Sequence, residues 1–235
     1  MKTLIIIPAY NEAEHIAQVV GEIKAAAPQA DCLVVNDCSR DATQQVCMER
    51  GLSFVSLPLN LGIGGGVQTG YLYALDGGYD IAVQMDGDGQ HDPAYLEKLI
   101  APIQQGEAEV VIGSRFLTGE GFQSSGLRRF GIRFLSGLIR LCSGIRVRDV
   151  TSGFRAVNRR FMEIYARDYA QDYPEPEAII AAAMFGGRVK EVPVVMRERA
   201  GGESSIKRWK TVYYMLKVSL AIALYRLTFR KEKKR

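Results

Sequence analysis

Through the first half of the chain, apolar residues fall in short unbroken runs separated by stretches where they recur three or four positions apart. Leu4-Ile5-Ile6-Ile7, closed by Pro8, shows no polar alternation, which is the pattern of a strand covered on both faces. Ile16, Val19, Val20 and Ile23 follow at helical spacing, with Asn11 placed to cap that helix. The alternation then repeats. Cys32 to Val35 reads as a strand, Ser39-Arg40-Asp41 starts a helix through Met48, and Ser53 to Leu57 reads as a third strand. A helix over Gly65 to Leu75 and a strand over Ile81 to Met85 come next; Pro93 then opens a helix at a first-turn position that has no use for an N–H, before a fifth strand at Val110 to Ile112. Short links between alternating strands and helices predict an α/β class with a parallel sheet covered on both faces.

After Arg115 the alternation weakens. The pattern predicts a helix over Leu127 to Leu141, an irregular stretch from Asp149 to Arg160, a helix near Glu177 to Phe185 and a strand over Val189 to Met196. Residues 1–115 are thus expected to form a nucleotide-binding half and 116–205 an acceptor half of one domain, with 206–235 as an appendage.

Charge sharpens this division. The formal net charge is +4 over 235 residues, but Arg226 to Arg235 carry six basic residues against Glu232 alone, which leaves residues 1–225 at −1. A nearly neutral body excludes a general nucleic-acid surface. Cys32, Cys38, Cys47 and Cys142 form no C-x-x-C pair and do not group with His15 or His91, so a zinc site is not expected. The run Leu4 to Ile7 is too short for a signal-peptide core, so the protein is expected to stay on the cytoplasmic side.

The stretch that carries chemistry is Gln84-Met85-Asp86-Gly87-Asp88-Gly89-Gln90-His91-Asp92-Pro93. Two carboxylates at i and i+2 project to one side of an extended segment, at the carboxyl edge of a predicted parallel strand where open α/β sheets bind ligands. Hard divalent ions prefer such oxygen donors, and magnesium commonly takes one or two carboxylates together with substrate phosphates. Gly62-Ile63-Gly64-Gly65-Gly66 lacks the third glycine of a dinucleotide motif, since Val67 stands there; it reads as a loop near the ligand ahead of its helix.

Pro8-Ala9-Tyr10-Asn11-Glu12, Val35-Asn36-Asp37-Cys38-Ser39, Asn60-Leu61-Gly62, Asp86-Gly87-Asp88, Gly113-Ser114-Arg115, Thr151-Ser152-Gly153-Phe154-Arg155 and Arg199-Ala200-Gly201-Gly202-Glu203-Ser204 occur in that order. As an ordered set they resemble glycosyltransferase family 2, close to the branch of polyprenol- and dolichyl-phosphate sugar synthases. The resemblance implies a GT-A fold, a UDP- or GDP-type sugar donor, and inversion by a single displacement. It implies that Pro8, Ala9, Tyr10 and Glu12 floor the nucleotide, that Asp37 accepts from the base, and that Asn60 and Gly62 line the donor. It further implies that Asp86 and Asp88, with Gln90, hold Mg²⁺ or Mn²⁺ on the diphosphate, and that Arg199 and Ser204 close over it. Lysine often follows that serine in the family, and Ser205 stands there in this chain.

Arginine forks match phosphate oxygens bidentately, so Arg115, Arg129 and Arg133 suit an anionic acceptor. In the resembled branch Ser114, Arg115 and Arg129 would hold a lipid phosphate, a nucleophile already ionised at neutral pH. A sugar hydroxyl of a lipid-linked glycan would instead need a carboxylate base, for which Glu177, Glu175 or Asp149 stand available. With Asp88 and Arg115, Glu177 completes the candidate catalytic set. A non-catalytic nucleotide-binding module is the alternative of another class.

At the C-terminus, Trp209 to Phe229 is apolar but broken by Lys210, Lys217 and Arg226, and its longest charge-free run, Val218 to Tyr225, is eight residues against about 20 for a bilayer span. It is expected to be an interfacial helix, with Arg230, Lys231, Lys233, Lys234 and Arg235 on anionic headgroups. The competing expectation is a packing helix or one that joins copies into a homo-oligomer.

Overall fold

The computed structural model of the chain describes residues 1–121, 126–198 and 217–221. Among them, seven strands form one sheet: β1 (Thr3–Ala9), β2 (Asp31–Asn36), β3 (Phe54–Ser56), β4 (Ile81–Gln84), β5 (Val110–Ser114), β6 (Arg155–Asn158) and β7 (Val189–Pro193), in the order β3-β2-β1-β4-β6-β5-β7. Around it pack α1 (Ile16–Ala26), α2 (Thr43–Glu49), α3 (Gly62–Asp76), α4 (Leu96–Gln104), α5 (Gly126–Ser143), α6 (Arg159–Arg167) and α7 (Pro174–Met184).

Each sheet face has its own core, and β1 supplies both by alternation. Leu4 and Ile6 point to one side with Val67 and Tyr71 of α3, Leu135 of α5, Phe161 of α6 and Ile179 of α7. Ile5 and Ile7 point to the other, against Val19 and Ile23 of α1 and Leu99 and Ile103 of α4. Full burial of each such side chain is worth roughly 1.5–3 kcal/mol, so this central strand is a principal source of stability.

The parallel strands follow the apolar runs closely, and the second half differs from the pattern. β4 and β5 are not neighbours. β6, from a stretch expected to be irregular, lies antiparallel between them, with Gln84 paired to Arg155 and Ile112 to Arg155. Asn158 then caps α6 through Phe161 N–H at 3.1 Å. Pro174 opens α7 three residues ahead of the expected start, fixed in a helical φ where its missing N–H costs nothing.

Three local expectations also change. Asn11 does not cap α1; it turns the chain at φ 58° while its side chain accepts from Arg40 N–H at 2.8 Å. α2 begins at Thr43 instead of Ser39, because Asp41 Oδ1 takes the Thr43 N–H at 2.9 Å in a local turn. Gly62 to Gly66 are not a loop but the opening of α3. Their lack of side chains admits neighbours: a Cβ on Gly64 would lie 2.0 Å from the Ala170 carbonyl oxygen, and one on Gly70 further along would lie 2.3 Å from Ile6 Cγ2. Glycine's helix cost of about 1 kcal/mol is accepted in exchange for close packing against β1 and the 170–171 backbone.

Candidate active site

β1 lies between β2 and β4, and the connections leave in opposite directions on its two sides, so the carboxyl ends of β1 and β4 form the switch point of the sheet. The candidate residues collect there. Pro8 and Ala9 end β1 and are buried; Tyr10 is 43% exposed, and Glu12 is partly buried. The loop 10–13 is held from the β2 side, where Ser39 Oγ accepts from Asn11 N–H, Thr43 Oγ1 from Glu12 N–H and Asp41 Oδ2 from Ala13 N–H, at 2.9 to 3.1 Å. Burial pushes the Asp41 carboxyl upward, but its bonds from Thr43 and the backbone outweigh this and hold it below its ordinary value.

Asp37 sits at the end of β2, 4% exposed. Its two carboxylate oxygens accept from Leu61 N–H at 2.7 Å and Gly62 N–H at 2.9 Å, so it anchors the start of α3, and Asn60 Nδ2 donates to its carbonyl at 3.0 Å. Asp37, Asn60 and Gly62, all expected to meet the donor, are therefore one hydrogen-bonded unit. Each carboxylate oxygen keeps a second lone pair, the capacity through which Asp37 would meet a base N–H.

Beyond β4, Asp86 and Asp88 flank Gly87, which lies over Ile7, the Pro8 carbonyl and Ile16. Asp88 is buried and its Oδ1 accepts from Gln90 N–H at 3.0 Å. His91 braces the turn: its Nδ1 accepts from Asp86 N–H at 3.0 Å, its Nε2 lies 3.7 Å from Asp86 Oδ2, and its ring stacks on Phe154 at 4.8 Å. Since Nδ1 is an acceptor here, the neutral ring carries its proton on Nε2, beside the carboxylate.

Asp86, Asp88 and the Gln90 amide all offer hard oxygen donors, and among the described residues no three or more His, Cys, Asp or Glu side chains are grouped so that they alone could hold a metal ion. Such donors fit an ion that arrives with its own phosphate ligands, as magnesium and manganese do.

Thr151 to Arg155 runs along the same edge, and each residue has a distinct task. Thr151 Oγ1 accepts from Arg115, and Phe154 supports His91. Gly153 faces Asp86, since a Cβ there would meet Gln84 Nε2 at 3.0 Å and Asp86 Oδ1 at 3.3 Å. The buried Arg155 guanidinium donates to the carbonyls of Ser152, Val150 and Glu175, tying the start of β6 to the first turn of α7. Beside it, the Gln84 amide and the Ser114 hydroxyl are buried with no partner among the described residues, two polar groups on the sheet end nearest Asp86.

The structure changes the picture of Arg115 most. Expected to grip an acceptor phosphate, it is 6% exposed, and its Nε and Nη2 each donate to Asp149 at 2.7 Å, in a bidentate pair completed by its own backbone N–H. A phosphate would have to compete with Asp149. Conversely Asp149, expected as an alternative base, has no exposure and is committed to Arg115. Arg129 and Arg133 lie exposed on α5.

Glu177, on α7, is half-buried; burial, then Asp168 and Asp172, push its carboxyl above the ordinary range, with Lys217 opposing. The charges acting on it are Asp168 and Asp172 of the α6–α7 connection and Lys217, not the Asp86–Asp88 edge. Arg199 and Ser204 lie outside the described residues. The chain approaching them does run along the 86–92 loop: Arg197 N–H donates to the Gln90 carbonyl at 2.9 Å, and its side chain pairs with Asp92 at 3.0 Å. The expected C-terminal helix and basic cluster also lie outside the described residues, except for a helical stretch at 217–221 whose Val218 is buried. Among the described residues no helix is long and apolar enough to cross a membrane.

An open α/β sheet with paired carboxylates at its switch point, extended by an antiparallel strand that faces them, is the GT-A architecture of nucleotide-sugar transferases. The family model for glycosyl transferase family 2 matches residues 4–165, and the chain belongs to that family: it is a glycosyltransferase. It is 32% identical over 215 residues to an undecaprenyl-phosphate mannosyltransferase of Micrococcus luteus, covering 88% of each chain. It is 31% identical over 228 residues to a polyprenol monophosphomannose synthase of Mycolicibacterium smegmatis, covering 93% of this chain and 86% of that one. Glucosyl-3-phosphoglycerate synthase of Mycobacterium tuberculosis, solved with Mn²⁺, UDP-glucose and phosphoglyceric acid, shares the fold at a TM-score of 0.72 and 19% identity, over 96% of this chain and 79% of that one.

Proposed function

We propose that the protein transfers a sugar from a nucleoside-diphosphate donor to a polyprenyl phosphate at a membrane face. The observation that carries this reading is the Asp86-Gly87-Asp88 turn, braced by His91 and faced by Gly153, in a chain whose relatives act on lipid phosphates. Asp86 and Asp88, with Gln90, would hold Mg²⁺ or Mn²⁺, which supplies Lewis-acid stabilisation of the departing diphosphate. Pro8, Ala9, Tyr10 and Glu12 would floor the nucleoside, and Asp37 would take a base N–H. Arg129 and Arg133 would orient the acceptor phosphate with Ser114. Arg115 is the residue that positions this strand end through Asp149.

The acceptor oxygen is already anionic. It attacks the anomeric carbon as the bond to the β-phosphate oxygen breaks, and the configuration inverts. The protein's task is then orientation and charge compensation, with no proton to remove. This agrees with Asp149 being committed to an ion pair, since transfer to a sugar hydroxyl would call for an available base.

The test is incubation with a panel of sugar nucleotides, Mg²⁺ or Mn²⁺ and a short polyprenyl phosphate, with products read by mass spectrometry, alongside Asp88→Asn. Transfer should fall at least about 100-fold in the variant while its melting temperature holds. A variant that retains half its activity would remove Asp88 from the metal site.

A further inference from the structure

Among its described side chains, helix α5 buries one side, with Leu138 and Cys142 partly buried at its border. Ile132, Leu135 and Ile139 are buried in the core shared with α7, while Phe130 is 70%, Phe134 52% and Leu141 76% exposed. At about 100° per residue, these three fall within an arc of about 40° on the outer face, and Arg129, Arg133 and Arg140, also exposed, fall within a second arc of about 40° beside it. From Gly126 to Arg148 the sequence holds six arginines and no acidic residue. Two parallel rows, one aromatic and aliphatic and one cationic, lie on the helix that is the next element in the chain after the strand bearing Ser114.

We infer that this outer face of α5 docks on an anionic lipid surface, with Phe130, Phe134 and Leu141 entering the headgroup–acyl boundary and the arginine row resting on lipid phosphates. The inference rests on the proposed membrane-bound acceptor and goes beyond it by naming the contacting surface. Exposed aromatic clusters on a helix that also carries a cationic edge match what an interface rewards: apolar burial for the rings, and arginine stems that stretch back to the headgroups. The charge argues for lipid over a second copy of the chain. Two copies joined by this face would set one arginine row against another with no acidic residue on α5 to offset it, whereas an anionic leaflet attracts every one of them. Docking here would also bring the acceptor side of the sheet edge to the bilayer surface, so that a lipid phosphate need not leave its headgroup plane.

The full chain should be sedimented with phosphatidylcholine vesicles, with and without phosphatidylglycerol, as wild type, Phe130→Ser/Phe134→Ser and Arg140→Gln. Wild type should bind the anionic vesicles in a salt-sensitive way, and the double phenylalanine variant should bind at least about tenfold more weakly with an unchanged thermal melt. Arg140→Gln should weaken binding to the anionic vesicles alone. Equal binding by wild type and the double variant would overturn the inference, as would a wild-type dimer in analytical ultracentrifugation that the same variant dissociates. Transfer to a water-soluble short-chain prenyl phosphate should survive in the double variant, and its loss there would place the phenylalanines in the acceptor site instead. Absence of that transfer in the wild type would remove the proposed function and leave the vesicle result standing.

Discussion

Replacing Arg115 with methionine separates a residue that grips substrate from one that holds the fold. The guanidinium makes two 2.7 Å bonds to Asp149, and the two side chains are 7% and 0% exposed, so Arg115→Met leaves a carboxylate sealed from water without its counter-charge. Breaking one side of such a pair costs about 3–5 kcal/mol. The backbone N–H groups of Arg115 at 3.1 Å and, through Glu191, of Asp149 keep the local chain in place, which favours the lower end, about 3 kcal/mol. Urea unfolding followed by circular dichroism should show the midpoint falling with the slope unchanged. The double variant Arg115→Met/Asp149→Asn should recover at least about 1 kcal/mol, because it removes the stranded charge. A stability loss below about 1 kcal/mol together with abolished transfer would refute the reasoning, since the guanidinium would then act on phosphate and not on Asp149.

Glu177→Gln tests a second carboxylate. Burial, Asp168 and Asp172 raise the folded-state pKa, so the folded protein binds this proton more tightly than the unfolded chain, and stability declines as pH rises from the ordinary carboxylate value through the raised one. The variant should be more stable at pH 7, by no more than about 1 kcal/mol after solvent screening, and the gain should vanish near pH 4 in thermal melts across pH. Its transfer rate to a lipid phosphate should stay within about twofold, while a loss of about 100-fold would make Glu177 a general base. Gly70→Ala should cost about 1–3 kcal/mol by calorimetry, because its Cβ would meet Ile6 Cγ2 at 2.3 Å and Ile6 is fully buried in the sheet core with little room to yield; an unchanged melt would contradict the close approach of α3 to β1.

The strands most plainly legible in the sequence were β1, β2 and β4. They are covered on both faces, so their apolar runs are unbroken and their edges mark the ligand side. β6 was illegible because Arg-Ala-Val-Asn carries a buried guanidinium, whose three carbonyl partners come from residues 150, 152 and 175 and leave no periodic trace. The glycines of α3 misled for the opposite reason: their propensity argues against a helix, and only the proximity of Ala170 and Ile6 explains them. Asp86 and Asp88 were visible as a local motif. Arg115 and Asp149, 34 positions apart, were each visible as chemistry, but the ion pair that redefines both depends on the tertiary fold.

The antiparallel strand between β4 and β5 has a consequence for how the molecule comes into being. β4 and β5 are made early, yet the strand that joins them is complete only at Asn158, roughly 40 residues after β5 leaves the ribosome, which is some seconds of synthesis. Throughout that interval both strands present unpaired edges of the kind that recruit other chains. A fragment ending before Asn158 would keep those edges permanently. The chain therefore has no early stopping place at which a self-sufficient nucleotide-binding unit exists, and its folding is committed to a late closing event.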